Sequence, residues 1–350
     1  MLLCALLKHY TKESIFMSIQ HQAFARAGLI GNPSDGYFGK TISFVIREFS
    51  AQVELTPSDS LELIPNEAEL PKYESLESLH QTIKLNGYYG AERLFKATLI
   101  RFADYCERDG IELHDRNFSL RYSSTVPRRV GMAGSSALIT ATMRCLLEFY
   151  DVEIPKPLLA DLIWRIENEE LGIGSGLQDR VIQVYEGCVF MDFDKDTMDT
   201  QGYGNYEEVD LEKLPNLYVA FRTRLAEGSE VFHNNIRERW DNGDHQVIDA
   251  MQQFGGFAQQ AYDLMQAGRV SEVGPLMDKN FDLRKTLFQL SEGDLAMVDM
   301  ARSVGAHAKF SGSGGAIVGT YEDDAMFAKL EEEFRNTDIE LVKPTVAPPE

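Results

Sequence analysis

The chain has 350 residues, 44% of them apolar and 25% charged, which excludes a disordered or fibrous protein and at this length implies two domains. Its 34 Lys and Arg face 55 Asp and Glu, a net charge of −21 that repels nucleic acid and anionic lipid, so any anionic ligand has to be met by local donors. Four scattered cysteines without a C-x-x-C pair argue for free thiols in a reducing compartment. The seven histidines lack zinc-site spacing, and no apolar run approaches the roughly 20 residues of a membrane span, so a cytoplasmic protein is expected.

Residues 1 to 16 hold a short apolar stretch with neither a preceding basic region nor a small-residue cleavage site, and read as an extension or leader without an assigned role. Phe24 to Gly31 and Thr41 to Leu55 predict strands around the turn Gly31-Asn32-Pro33-Ser34-Asp35-Gly36. Glu92 to Glu107 sets Leu94, Phe95, Leu99, Phe102 and Cys106 at helical spacing. A strand at Asn117 to Ser123 leads through a Gly/Ser turn into a helix over Ser135 to Tyr150, with Leu138, Ala141, Cys145, Leu146 and Phe149 inward. A third helix runs from Pro157 to about Glu170.

The acidic, Gly/Tyr-rich stretch Asp192 to Asp210 shows no periodicity and marks the expected boundary between an N-terminal domain, 17–195, and a C-terminal domain, 196–350. Beyond it come a strand at Leu217 to Thr223, helical stretches from Ser229 to Ser303, a strand, Gly turn and strand at Ala306 to Thr320, and a last helix and strand. The Pro-rich tail, Pro344 to Glu350, is expected to fray. This mixture favours an α+β fold over a doubly wound sheet.

Three glycine-rich turns carry candidate chemistry. The first, Pro127 to Ala137, includes Gly131, Ala133, Gly134, Ser135 and Ser136 and runs straight into a helix, where free N–H groups and the helix dipole suit a phosphate; the serines can cap the helix, donate to phosphate or bind magnesium. It lacks the G-K-[ST] of a Walker loop, and a tight turn with a Ser N-cap explains it as well. The second, Glu167 to Arg180, ends a Gly/Ser loop with Asp179, which is either a helix N-cap or a group beside a substrate hydroxyl. The third, Lys309 to Ala316 with Ser311, Gly312, Ser313 and Gly314, joins two apolar strands as a hairpin loop would. No dinucleotide fingerprint is present, since a strand and not a helix follows.

Together with the Asp35 turn, the P-x-x-x-G…S-S-A loop and the late G-S-G-G loop resemble the GHMP kinase superfamily over about residues 24 to 343. Longer stretches resemble the plant-type glucuronokinases within it: Gly31 to Asp35 with Phe38 to Ser43, Gly176 to Val181 continuing to Phe193, Arg239-Trp240 with Gly243-Asp244, Asn280 to Arg284, and Lys309 to Ala316. The resemblance implies a GHMP kinase fold: an N-terminal domain like domain 2 of ribosomal protein S5, a ferredoxin-like α/β C-terminal domain, and ATP and sugar between them.

It also implies roles. Pro127, Gly131, Ala133, Gly134, Ser135 and Ser136, with Ser311, Gly312, Ser313 and Gly314, would bind ATP and its phosphates; Ser136 and Glu167 would hold Mg²⁺; Asp179 would be the catalytic aspartate, with Arg26 beside it and the transferred phosphate. Asn32, Asp35, Gly176 and Arg180 would bind the substrate. The first loop and the Gly172-to-Asp179 stretch are each one residue longer than in the commoner relatives, which leaves Glu167, Glu169 and Glu170 open as the metal carboxylate.

The implied activity is ATP-dependent phosphorylation of the anomeric hydroxyl of D-glucuronate, with ATP and a sugar acid as partners. Galacturonate, a neutral sugar or mevalonate stand as other substrates, and a silent nucleotide- or sugar-binding relative as the other class. A uronate carboxylate needs a cation, with Arg180, Arg222, Arg224 and Lys40 as candidates and Arg180 favoured. A monomer or homodimer is expected, with neither nucleic acid nor membrane as a partner.

Overall fold

The computed structural model describes residues 18–66, 90–223 and 236–349; the expected leader and Arg224 lie outside them. Strand β1 (Ile19–Ile30) turns through a short 3-10 helix at Ser34–Tyr37 into the long β2 (Lys40–Ser58), followed by β3 (Glu62–Leu63), α1 (Ala91–Arg108) and β4 (Asn117–Ser124). Then come α2 (Gly134–Tyr150), α3 (Lys156–Arg165), a π-turn at Ile166–Glu170, α4 (Gln178–Tyr185), β5 (Cys188–Asp192), α5 (Lys195–Gln201) and β6 (Asn205–Glu208). The chain continues with β7 (Leu217–Arg222), α6 (Ile236–Asp241), α7 (His245–Gln266), α8 (Val273–Leu287) and α9 (Glu292–Ser303). It closes with β8 (His307–Phe310), β9 (Ala316–Thr320), α10 (Asp324–Phe334) and β10 (Ile339–Val342).

Two sheets result, in the order β3-β4-β2-β5-β6 with β1 on β2, and β10-β7-β9-β8. Besides β1, β2 serves two partners because of its length: Lys40 to Phe44 pair with β5, Ala51 to Ser58 with β4. In the second sheet the chain order of its strands gives the 4-1-3-2 arrangement of the ferredoxin-like split β-α-β unit.

Burial follows the two periodicities. On one face of the first sheet, α1 to α4 bury Leu94, Phe102, Leu146, Ile163 and Ile182 against Phe24, Val53 and Leu120. Neighbouring β1 positions Ala25, Ala27 and Leu29 belong to a second core, shared with Val219 and Val318 of the second sheet and with Ala258 and Met277 of α7 and α8. The alternate positions Tyr218, Ala220 and Ile317 face α9 and α10. The two sheets are thus joined by a common apolar layer, and loops at its edge are held in fixed relation.

Two details go beyond the sequence reading. The aperiodic stretch Asp192 to Asp210 holds short elements: Asp194 caps α5 by accepting from the Thr197 N–H, and β6 pairs with β5 through Val189 and Glu208. Short elements of this kind are too brief to show a period. The first sheet therefore ends at Glu208, past the expected 195–196 division, and the second begins at Leu217. Nor is the tail frayed up to residue 349, because Thr345 donates to Glu48 Oε1 at 2.9 Å, its carbonyl accepts from the Arg47 N–H, and Arg47 also bonds the Pro348 carbonyl. Proline leaves backbone carbonyls free to accept, which a reading based on composition overlooks.

Candidate active site

The three glycine turns and the Asp35 turn meet around one buried cation. Arg26 projects from β1 with 5% exposure. Its Nε donates to Asp179 Oδ1 at 2.6 Å, and its Nη1 to the carbonyls of Gly131 at 2.6 Å and Ser311 at 3.2 Å. One guanidinium thereby fixes members of all three turns, using the planar fork that lysine lacks.

The first and third turns pack backbone on backbone. A Cβ on Gly312 would overlap the Gly131 carbonyl, and one on Gly131 would lie 2.9 Å from the Ser313 amide nitrogen. Gly131 also has φ +65°, in the left-handed region that glycine enters without a Cβ clash. Helix α2 starts at Gly134 behind Ala133, whose methyl group cannot cap it. The N-cap position is thus not a serine; Ser136 is buried and donates its hydroxyl to the Ala133 carbonyl at 3.2 Å. That leaves the first turn of the helix built as an anion cradle. Gln183 braces it from α4, donating to the carbonyls of Ala133 at 2.9 Å and Phe24 at 3.1 Å.

The second turn brings charged side chains together. Asp179 lies in the first turn of α4 and not at its cap, which is Leu177. Arg180 is 3% exposed; it bonds the Gly176 carbonyl at 2.8 Å, pairs with Glu167, and approaches Asp179 Oδ2 at 3.6 Å. Burial, and then the charge of Arg26, lower its pKa to about 9. Of the three glutamates the sequence left open, Glu167 alone is buried. Glu169 and Glu170 pair at the surface with Arg165 and Arg101. The π-turn separates them, since the Leu171 N–H reaches back five residues to the Ile166 carbonyl and rotates Glu167 inward.

Asp35 lies 3% exposed beside this group. It accepts from the Gln178 backbone N–H at 3.2 Å and from Gln178 Nε2 at 3.3 Å, and Gly176 is required next to it because a Cβ there would overlap its carboxylate. Burial, then the charge of Asp179, hold the Asp35 carboxyl above the usual range; the Gln178 bond and Arg26 pull the other way. Asn32 is buried with its Oδ1 unpartnered, while its carbonyl accepts from Asn280. Ser311 Oγ is buried and unpartnered too.

Two of the cations proposed for a substrate carboxylate, Arg180 and Lys40, are otherwise engaged. Arg180 belongs to Glu167, and Lys40 pairs with Asp192 at 3.0 Å and bonds Gln259 at 2.7 Å. Arg222 lies against Gly293, where a Cβ would overlap it. Favouring Arg180 from sequence thus overlooked a carboxylate thirteen positions back that folds onto it.

Residues to which sequence reasoning gave no role complete the site. Gln178 and Gln183 hold Asp35 and the first loop. Lys309, 1% exposed, donates to the carbonyls of Gly28 at 2.6 Å and Phe310 at 2.7 Å; burial first, then Arg284 and Arg26, press its pKa well down. Asn280 and Arg284 are buried along α8 among Leu276, Met277, Phe281 and Leu287. Polar residues inside an apolar helical stripe were the available signal.

A hard cation fits the donors present. Among the described residues no three acidic, His or Cys side chains form a cage. Glu167 pairs with Arg180 through Oε2 alone, and the Ser136 hydroxyl can still accept, so each offers an oxygen to a magnesium ion carried on phosphates, which needs only one or two from protein.

Comparison with known proteins shows the family. Residues 93–187 match the GHMP kinases N terminal domain and residues 261–338 the GHMP kinases C terminal domain. "Probable glucuronokinase 2" of Arabidopsis thaliana is 42% identical over 333 residues, covering 93% of this chain and 90% of the relative. "Glucuronokinase 1" of the same plant is 40% identical, covering 95% and 93%. The fold is shared with Lactococcus lactis galactokinase complexed with galactose, at TM-score 0.73 and 15% identity over 95% and 94% of the two chains. No helix among the described residues is long and apolar enough to cross a membrane.

Proposed function

The chain belongs to the GHMP kinase family, and from that premise we propose that it transfers the γ-phosphoryl group of ATP to the anomeric hydroxyl of D-glucuronate, giving glucuronate 1-phosphate and ADP. The observation that carries the reading is Arg26 joining Asp179 to the Gly131 and Ser311 loops, which sets a carboxylate against an anion cradle. The two plant relatives named above support the sugar acid.

In this reading the α2 start and the Ser311 to Gly314 turn hold the nucleotide phosphates. Asp179 orients the sugar hydroxyl and takes its proton as the new O–P bond forms and the bond to the ADP oxygen breaks. Arg26 faces both the carboxylate and the loops, so it positions Asp179 and offsets charge that develops on the phosphoryl oxygens. Asn32, Asp35 and Gly176 line the sugar side, with Arg180 fixing the Asp179 loop. Glu167 and Ser136 would hold Mg²⁺, which when bound neutralises phosphate charge.

The decisive experiment measures ADP release with glucuronate, galacturonate, glucose, galactose and mevalonate. Glucuronate is expected to give the highest kcat/KM. Turnover of mevalonate or a neutral sugar above glucuronate would refute the substrate, and ATP binding without turnover of any would mark a silent relative.

A further inference from the structure

We infer that Arg284, held on α8 beside Asn280, is the residue that recognises the carboxylate of the sugar acid. This rests on the sugar-acid reading above and names the group that enforces it. Arg284 is 7% exposed and buried against the third turn, yet among the described residues its one hydrogen bond is long, Nη2 to the Ser313 carbonyl at 3.4 Å, and its Nε finds no partner. No carboxylate among the described residues comes within ion-pair distance of it. Its guanidinium is instead flanked by the rings of Phe288 and Phe310, at 5.0 and 5.3 Å.

A buried guanidinium without a counter-ion is costly, and an entering carboxylate relieves that cost. Desolvation lowers the pKa of Arg284 to about 10, and the two acidic groups that offset this are Asp294 and Asp35. Asp35 places the guanidinium within electrostatic reach of the sugar side. Asn280, one helical turn earlier on α8, donates to the Asn32 carbonyl at 3.2 Å and accepts from the Gly31 N–H at 2.8 Å, so the helix is keyed to the Asp35 turn. Asn32, whose Oδ1 is unpartnered, lies in that turn. The fork of donors on Arg284 is the bidentate match for a carboxylate.

Three rival cations fail on these criteria: Arg180 and Lys40 already have carboxylate partners, and Arg237 is exposed and spent on the Gly36 carbonyl and the Tyr37 ring. Arg222 also has an unpartnered Nε, but it is less buried than Arg284.

The test pairs wild type with Arg284→Gln and Arg284→Lys, reading KM for glucuronate and for ATP. Loss of a buried charged partner should raise the glucuronate KM on the order of 10²-fold in Arg284→Gln, less in Arg284→Lys, while the ATP KM moves by less than about threefold. A parallel rise in the ATP KM would assign Arg284 to phosphate and overturn the inference, as would an unchanged glucuronate KM. Because the variants must fold, the wild type supplies a second reading: its KM for glucuronamide should exceed that for glucuronate by a similar factor, and equal values would overturn the inference. Failure of wild type to phosphorylate glucuronate at all is a different outcome, which removes the substrate reading itself.

Discussion

The two parts of the proposed site are made of different material. The part proposed for the nucleotide is backbone: Gly131, Gly312 and the start of α2, with loop backbones in contact where a Cβ would not fit. The part proposed for the sugar is made of buried side chains, Asp35, Arg180 and Arg284, in a chain whose net charge is −21. Backbone donors carry no net charge and need little compensation, whereas each buried ion has to be balanced by another or by the ligand. Shape is thus fixed on one side and charge on the other, and Arg26 joins them by bonding Asp179 with one nitrogen and loop carbonyls with another.

The largest expected effect comes from the join. Asp179→Asn keeps the side-chain shape and a hydrogen-bond acceptor for Arg26 but cannot take a proton. Turnover should fall on the order of 10²–10³-fold, with ATP affinity nearly unchanged. Steady-state kinetics beside nucleotide titration checks this, and a near wild-type rate would remove Asp179 from the chemistry. The contrast between the two sides would then lose its meeting point.

An intermediate effect should come from the backbone side. A methyl group in Gly312→Ala overlaps the Gly131 carbonyl and lies 3.1 Å from the Arg26 guanidinium nitrogens, so the two loops must separate. The KM for ATP should rise about tenfold while that for the sugar changes less, since the displaced groups are loop amides that bind phosphate in the cradle. Equal changes in both constants would mean that the two sides are not separable.

The same difference decides what the sequence reveals. Glycine spacing before a helix is written locally, so a loop running into a helix could be read from Pro127 to Ala137, and the apolar periods located α1 and α2 to within one residue at each end. The sugar side depends on contacts distant in sequence. Arg180 meets Glu167 only because of a π-turn, and Arg284 meets Ser313 only because α8 lies against β8. A surface cation and a buried one look alike in a string of letters. Only their place in an apolar stripe, as for Asn280 and Arg284, hints at the difference.

The smallest effect sharpens the charged side. The Asp35 carboxyl is held above its usual range, foremost by burial and next by Asp179. A carboxyl protonated more readily in the folded than in the unfolded chain contributes stability below its unfolded pKa and loses it as pH rises through the higher folded value. The ionised form of Asp35 is therefore a net cost to folding. Asp35→Asn should raise Tm at pH 7 by on the order of 2 °C, and the gain should shrink as pH is lowered and the wild-type group takes up its proton. At the same time the sugar KM should rise, because the variant loses a charged acceptor for a hydroxyl. Melting curves at pH 7, 5.5 and 4 together with the sugar KM test both halves; a lower Tm at pH 7 would show that the bonds from Gln178 outweigh desolvation. A gain in stability coupled to a loss of affinity would identify Asp35 as a charge kept buried for the ligand, as the unpaired guanidinium of Arg284 is on the opposite sign.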